Sequence, residues 1–181
     1  MALSVKIKNN SKAIEKRFKR LEKKFPKLID KGILQGGFQL LDIIWTKTQK
    51  GIDFRDRKFA PYSDSYLKKL EREGKRTNVD LFDTGRMLGA LTPSPRSVKK
   101  SGKNKITVGF SNSQMIQRAL FNQVLNEPKR EFFGFNDRTE KIISKQFNRF
   151  IKQQIERTLW VKEKILHLIY LQLYQPYQVL I

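Results

Sequence analysis

The chain of 181 residues carries 38 Lys and Arg against 17 Asp and Glu, a formal net charge of +21, with 39% hydrophobic and 11% aromatic residues. That apolar share can fill an interior, which excludes a disordered chain. The charge calls for an acidic neighbour, because self-repulsion works against the compact state.

With no cysteine, disulfides, zinc ribbons and thiol nucleophiles are excluded. The opening residues lack the apolar core of a signal peptide. No run of about 18 apolar residues is present to span a bilayer. The expected setting is a reducing cytoplasm or a particle assembled there, with nucleic acid, an anionic membrane surface or an acidic protein as the candidate partner.

Residues 1–8 alternate weakly through Leu3, Val5 and Ile7 and predict a short strand. From Ser11 the period changes: Ile14, Phe18, Leu21 and Phe25 recur at helical spacing among Lys and Arg. Pro26 suits the first residue of a second helix. That helix carries Ile29, Ile33, Leu40, Leu41, Ile44 and Trp45 inward and stops before Gly51. Gly36-Gly37 inside it costs roughly 1 kcal/mol per glycine relative to alanine, which predicts a kink or a close helix approach.

A polar loop over 51–62 follows, with Phe54 and Phe59 as apolar residues within it. Ser63 or Asp64 caps a short basic helix through about Glu73, ended by Gly74. A second short helix spans about Thr84–Leu91, with Asp83 and Thr84 as its cap. Pro93 and Pro95 forbid a central strand until Arg96. Ser101-Gly-Lys-Asn104 is a turn into Lys105–Phe110, which places Ile106, Val108 and Phe110 on one face of a hairpin. Ile116, Leu120 and Val124 mark another helix, closed before Pro128. Asp137 with Glu140 reads as a capping box, opening a helix that buries Ile143, Phe147, Phe150, Ile151 and Ile155.

The expected class is therefore α+β, with long N-terminal and C-terminal helices packed on a small antiparallel sheet. Residues 1–157 are expected to form one domain. Residues 158–181 form a distinct apolar tail, either an arm or a helix extension ending near Pro176. A membrane role for the tail is disfavoured, since Gln rather than Lys or Arg lines its polar side.

Catalytic chemistry finds little support. His167, the single histidine, lies in that tail away from carboxylates, whereas a general base needs an orienting partner. No nucleophile elbow or phosphate-cradling glycine loop occurs. Asp64, Glu71, Glu73 and Lys75 have the residue types of a metal-dependent nuclease, but their spacing favours a solvated helix. The expectation is a protein without catalytic residues, cofactor or metal. Lys16, Arg17, Lys19, Arg20, Lys23 and Lys24 crowd the first helix. Lys68, Lys69, Arg72, Lys75 and Arg76 crowd the third, as candidates for an acidic partner or for sequence-independent DNA backbone contact. Phe54, Phe59, Tyr62 and Tyr66 interleave with these charges, either as loop anchors or as a stacking platform for single-stranded bases.

Three phrases then occur in order: Phe59-Ala-Pro61-Tyr-Ser63; Leu81, Thr84, Gly85 and Leu88; and Arg130, Phe132, Phe133, Gly134 and Asp137. With Val108-Gly109 between the last two, the set resembles the phage virion morphogenesis family, the tail-completion and head–tail joining proteins of Mu-like and P2-like phages. The resemblance covers roughly residues 10–157. The family often has His where this chain has Asn122, and 158–181 has no counterpart in it. It implies a structural protein of the virion, assembled in the host cytoplasm. Such a protein would form a homo-oligomeric ring at the head–tail junction, with tail-tube and head-connector proteins as partners and no membrane. A nucleic-acid-binding protein contacting DNA backbone is the alternative, and a metal-dependent nuclease a more distant one.

Overall fold

The computed structural model describes residues 11–159 except Asp83, Pro93 and Ser111. The expected strand at 1–8, His167 and the tail from 160 onward lie outside the described residues. The fold is α+β, with a long N-terminal helix, a long C-terminal helix and a small two-stranded antiparallel sheet. In chain order the elements are α1 (Ser11–Gln49), α2 (Asp64–Arg72), α3 (Arg86–Gly89), β1 (Val98–Gly102), β2 (Lys105–Val108), α4 (Ser113–Leu120) and α5 (Asp137–Leu159). A π-helical turn, Phe121–Leu125, follows α4 directly.

Pro26 does not begin a second helix; it lies inside the continuous α1. A proline there removes one ladder bond, the donation to the carbonyl four residues earlier. Leu21, Phe25 and Ile29 stay in phase on one face across it, and Leu21 and Ile29 are buried. Keeping those side chains aligned outweighs the lost bond.

The chain divides into two compact units, Ile33–Gln146 and the segments on either side of it. In the flanking unit, Leu21 and Ile29 of α1 and Ile151, Ile155 and Leu159 of α5 are buried. A methyl on Gly32 would come within 2.8 Å of two ring atoms of Phe147, so glycine permits the close approach. Arg17 Nη1 donates to the Leu159 carbonyl at 3.1 Å. Phe147 and Phe150, expected as core, are half-buried.

The central unit is built around Leu41, Ile44, Phe59, Met87, Leu88, Leu91, Val98, Met115, Ala119 and Phe132, which pack as one cluster. Strands β1 and β2 pair antiparallel in the register Val98↔Val108, Lys100↔Ile106 and Gly102↔Lys105, with a bulge between Lys100 and Gly102. The turn is tighter than predicted: Lys103-Asn104 alone connects the strands, and Asn104 takes φ +55°, a conformation asparagine tolerates. Ile106 and Val108 turn inward while Lys105 and Thr107 stay exposed. Gly37 of α1 faces this hairpin, where an added methyl would lie 2.5 Å from Ile106 Cδ1 and 2.7 Å from Val98 Cγ1. The glycine pair in α1 thus serves close approach.

Helix α5 starts at Asp137, but its cap is Asn136 rather than Asp137. The Asn136 carboxamide oxygen accepts from Thr139 N and from Thr139 Oγ1, both at 3.0 Å. A capping residue bonds the amide three positions on, and Thr139 supplies a second donor there.

Candidate functional site

The three sequence phrases meet in the central core. Phe59, Leu88 and Phe132 belong to one buried cluster, and Leu81 and Phe133 pack against it. Gly85 takes φ +68°, and a Cβ there would sit 2.9 Å from the Phe82 ring; both backbone and space require glycine. Gly134 is likewise held against the Phe54 ring, 2.9 Å from where a Cβ would lie. Pro61, Thr84 and Asp137 are exposed.

Two expected caps differ from the prediction. Ser63 occupies the position before α2 without a capping bond from its side chain. Gly85, not Thr84, precedes α3, which begins only at Arg86, and Asp83 lies outside the described residues. The turn is fixed instead by Asp80, whose Oδ1 accepts from Phe82 N at 3.0 Å.

Phe54 and Phe59 act as loop anchors. Phe59 is buried, and Phe59 N donates to Gly51 O at 2.8 Å, beside an antiparallel bridge between Ile52 and Lys58. Charged side chains lock the loop tip. Asp53 accepts from Arg57 N at 2.8 Å and Arg57 Nε at 2.9 Å. Arg55 pairs with Glu131 at 2.6 Å. Lys47 Nζ lies 2.7 Å from Asp56 Oδ1, and Asn136 Nδ2 donates to Asp56 Oδ2 at 2.7 Å. The Lys47 ammonium, and after it the Asn136 amide, hold the Asp56 carboxyl below its ordinary value.

Beside this scaffold lies a cleft of about 430 Å³. Its walls come from Tyr62 before α2 and Tyr66 in its first turn, the Leu81–Met87 turn, the end of α4 (Arg118), the π-turn (Phe121, Asn122) and Asn126 with Arg130. The π-turn is closed by Asn126 N donating to Phe121 O at 2.8 Å, and Arg130 N donates to Asn122 O at 2.8 Å. Gln123 holds Phe133 from both sides, its amide donating to Phe133 O at 2.8 Å and its oxygen accepting from Phe133 N at 3.0 Å. Arg130 is buried and sits over the Tyr62 ring at 5.0 Å.

The helix predicted from Ile116, Leu120 and Val124 turns a different face to the core. Met115 and Ala119 are buried, whereas Ile116, Leu120 and Val124 are about half exposed, with Phe121 at 56% and Leu125 at 61%. Two apolar stripes share this helix, and Met115 with Ala119 is the one that faces inward. Phe121 belongs both to the exposed stripe and to the cleft. Neither Arg118 nor Phe121 was singled out from sequence; an apolar period wider than one core-facing stripe was the available signal.

The basic residues of the α2 region are only partly available. Lys69 and Lys75 both approach Glu73, at 3.9 and 3.0 Å. Arg76 pairs with Asp80 at 3.6 Å and covers the Phe82 ring. Lys68 and Arg72 are exposed on α2. Asp64, Glu71 and Glu73 are exposed along this helix and its end, and the Lys75 ammonium lowers the Glu73 carboxyl below its usual range. No group of three or more acidic or histidine side chains among the described residues could hold a metal ion, and no described helix is long and apolar enough to cross a membrane.

No family model, curated protein or solved structure matches the chain.

Proposed function

We propose that the protein is a phage structural and assembly component that completes or caps the tail and joins it to the head connector. It acts by protein–protein binding as a homo-oligomer, a ring at the head–tail junction of the virion, assembled in the host cytoplasm. The observation that carries the proposal is the exposed stripe of Ile116, Leu120, Phe121, Val124 and Leu125. Contiguous apolar surface on a protomer marks a docking face, since water contact there is unfavourable. The three phrases that carry the family resemblance add support: each supplies a buried residue to a single core, as shape-determining residues do.

Native mass measurement of the purified chain, with electron microscopy of the same sample, tests the proposal. The expected result is a closed oligomer, or one that forms on adding tail-tube or connector proteins. A monomer indifferent to virion parts would overturn it.

A second reading, a protein bound to DNA backbone, is favoured by α1, where Lys12, Lys16, Lys19, Arg20, Lys23 and Lys24 are exposed. Tight binding with a steep salt dependence, and no affinity for virion parts, would establish it instead.

A further inference from the structure

Arg130 is 7% exposed, yet its guanidinium makes one side-chain hydrogen bond among the described residues, a long donation from Nη2 to Ala60 O at 3.5 Å. Its Nε is buried without a hydrogen-bond partner among the described residues. The Tyr62 ring face stabilises a cation only in part. Burying a charge is unfavourable unless it is paired and hydrogen-bonded, and among the described residues no carboxylate pairs with this cation. That cation lines the cleft, whose described lining adds Arg118 as a second cation and contains no carboxylate. A shallower hollow of about 360 Å³, lined by Gln114, Gln117, Arg118 and Phe121, shares two of these residues and extends the groove along α4.

We infer that this groove binds a carboxylate-bearing segment of a partner protein. An Asp or Glu of that segment pairs with Arg130 and Arg118, and the apolar residues flanking it cover Phe121 and Leu120. The inference rests on the reading that the chain works by docking other proteins. A guanidinium presents paired donors that match a carboxylate. The adjoining exposed side chains are mainly aliphatic, and these gain from an apolar neighbour rather than from a phosphate backbone. A second copy of the chain is the less suitable occupant, because each copy carries a net +21 and the groove itself is basic. An acidic partner neutralises that repulsion and is steered towards the site.

The test is fluorescence anisotropy with the full chain and three labelled probes: a short peptide of alternating Asp and Leu, its Asn–Leu counterpart, and oligothymidylate. The Asp peptide is expected to bind about tenfold or more tighter than the Asn peptide, the range of a charge-assisted hydrogen bond. Arg118→Glu and Phe121→Ser, both at exposed positions, should each abolish that preference or weaken binding about tenfold. Arg130→Lys keeps the charge, loses the fork and should do the same. Equal affinity for the two peptides, an Arg118→Glu protein that binds as the parent does, or displacement of the Asp peptide by oligothymidylate would each overturn the inference. Native mass of the same samples separates the two proposals. A parent protein that binds the Asp peptide but forms neither oligomer nor tail complex keeps the groove and removes the head–tail assignment. One that assembles but shows no preference for the Asp peptide does the reverse.

Discussion

Replacing Gly37 by alanine sets two effects of similar size against each other, and the structure decides their sum. In a helix interior alanine is favoured over glycine by about 1 kcal/mol. At Gly37 the new methyl would lie 2.5 Å from Ile106 Cδ1 and 2.7 Å from Val98 Cγ1, against an optimal carbon–carbon separation of about 3.5–4.0 Å. Val98 is 2% exposed and lies on β1, so it cannot swing into solvent. Overpacking of this kind costs about 1–3 kcal/mol. The net expectation is a loss near 1 kcal/mol, or a fall in Tm of about 2–4 °C for a chain of this size. Gly36 gives the intermediate case, since among the described residues its added methyl meets Ile143 Cγ2 alone, at 3.1 Å; there the two effects should nearly cancel. Gly89, in α3 with nothing within 4 Å of its added Cβ, keeps the helix gain alone and should melt slightly above the parent. Thermal denaturation followed by circular dichroism ranks the three. If Gly37→Ala melts above the parent by as much as Gly89→Ala does, the steric account of the glycine is refuted.

Phe132→Ala removes a 1% exposed ring from the central cluster and should cost about 3–5 kcal/mol. Phe135→Ala, at a 40% exposed position, should stay within about 0.5 kcal/mol; urea titration of both checks the contrast. Asp56→Asn should lower Tm at neutral pH by no more than about 3 °C. Because the folded value of Asp56 is lowered from 3.8, its contribution is complete well above that value and is lost as pH falls through the lowered one. The gap between variant and parent should therefore close in acid, and a gap independent of pH would count against the Lys47–Asp56 pair. Leu120→Glu with Leu125→Glu changes two exposed side chains, so the melting of the isolated protomer should shift by roughly 2 °C or less. The complex with tail-tube or connector proteins seen by native mass should be lost; an unchanged complex would remove the exposed stripe as the docking face.

The α+β class and the hairpin were legible because their signals are local. Ile106 and Val108 alternate with Lys105 and Thr107, and Asn104 marks the turn, so a few residues suffice to define the pairing. Pro26 misleads because its cost is local while its compensation is not: α1 continues through it, keeping Leu21 and Ile29 on the face that is buried. Asn136 and Asp137 are both competent caps, and Thr139 beneath Asn136 decides between them. For the cleft the difficulty is different. Periodicity shows that α4 carries apolar side chains, but not which stripe meets its own core. Arg130 is plain as one letter of a phrase; that its guanidinium is buried against a ring face and a carbonyl depends on Tyr62 and Ala60, some seventy positions earlier.

The π-turn at Phe121–Leu125 also acts as a phase setting. Such a turn holds one residue more than α-helical geometry would, and each helical residue advances the side-chain direction by about 100°. Deleting a single residue there, so that the turn closes as ordinary helix, would be a rotation rather than a truncation. Leu120 and Phe121 would be re-aimed relative to Asn126 and Arg130, and the apolar stripe would no longer share an edge with the arginine-lined cleft. A one-residue change in length at this point therefore redirects what the surface recognises, and it does so by also re-aiming Met115 and Ala119 relative to Phe132 in the shared core.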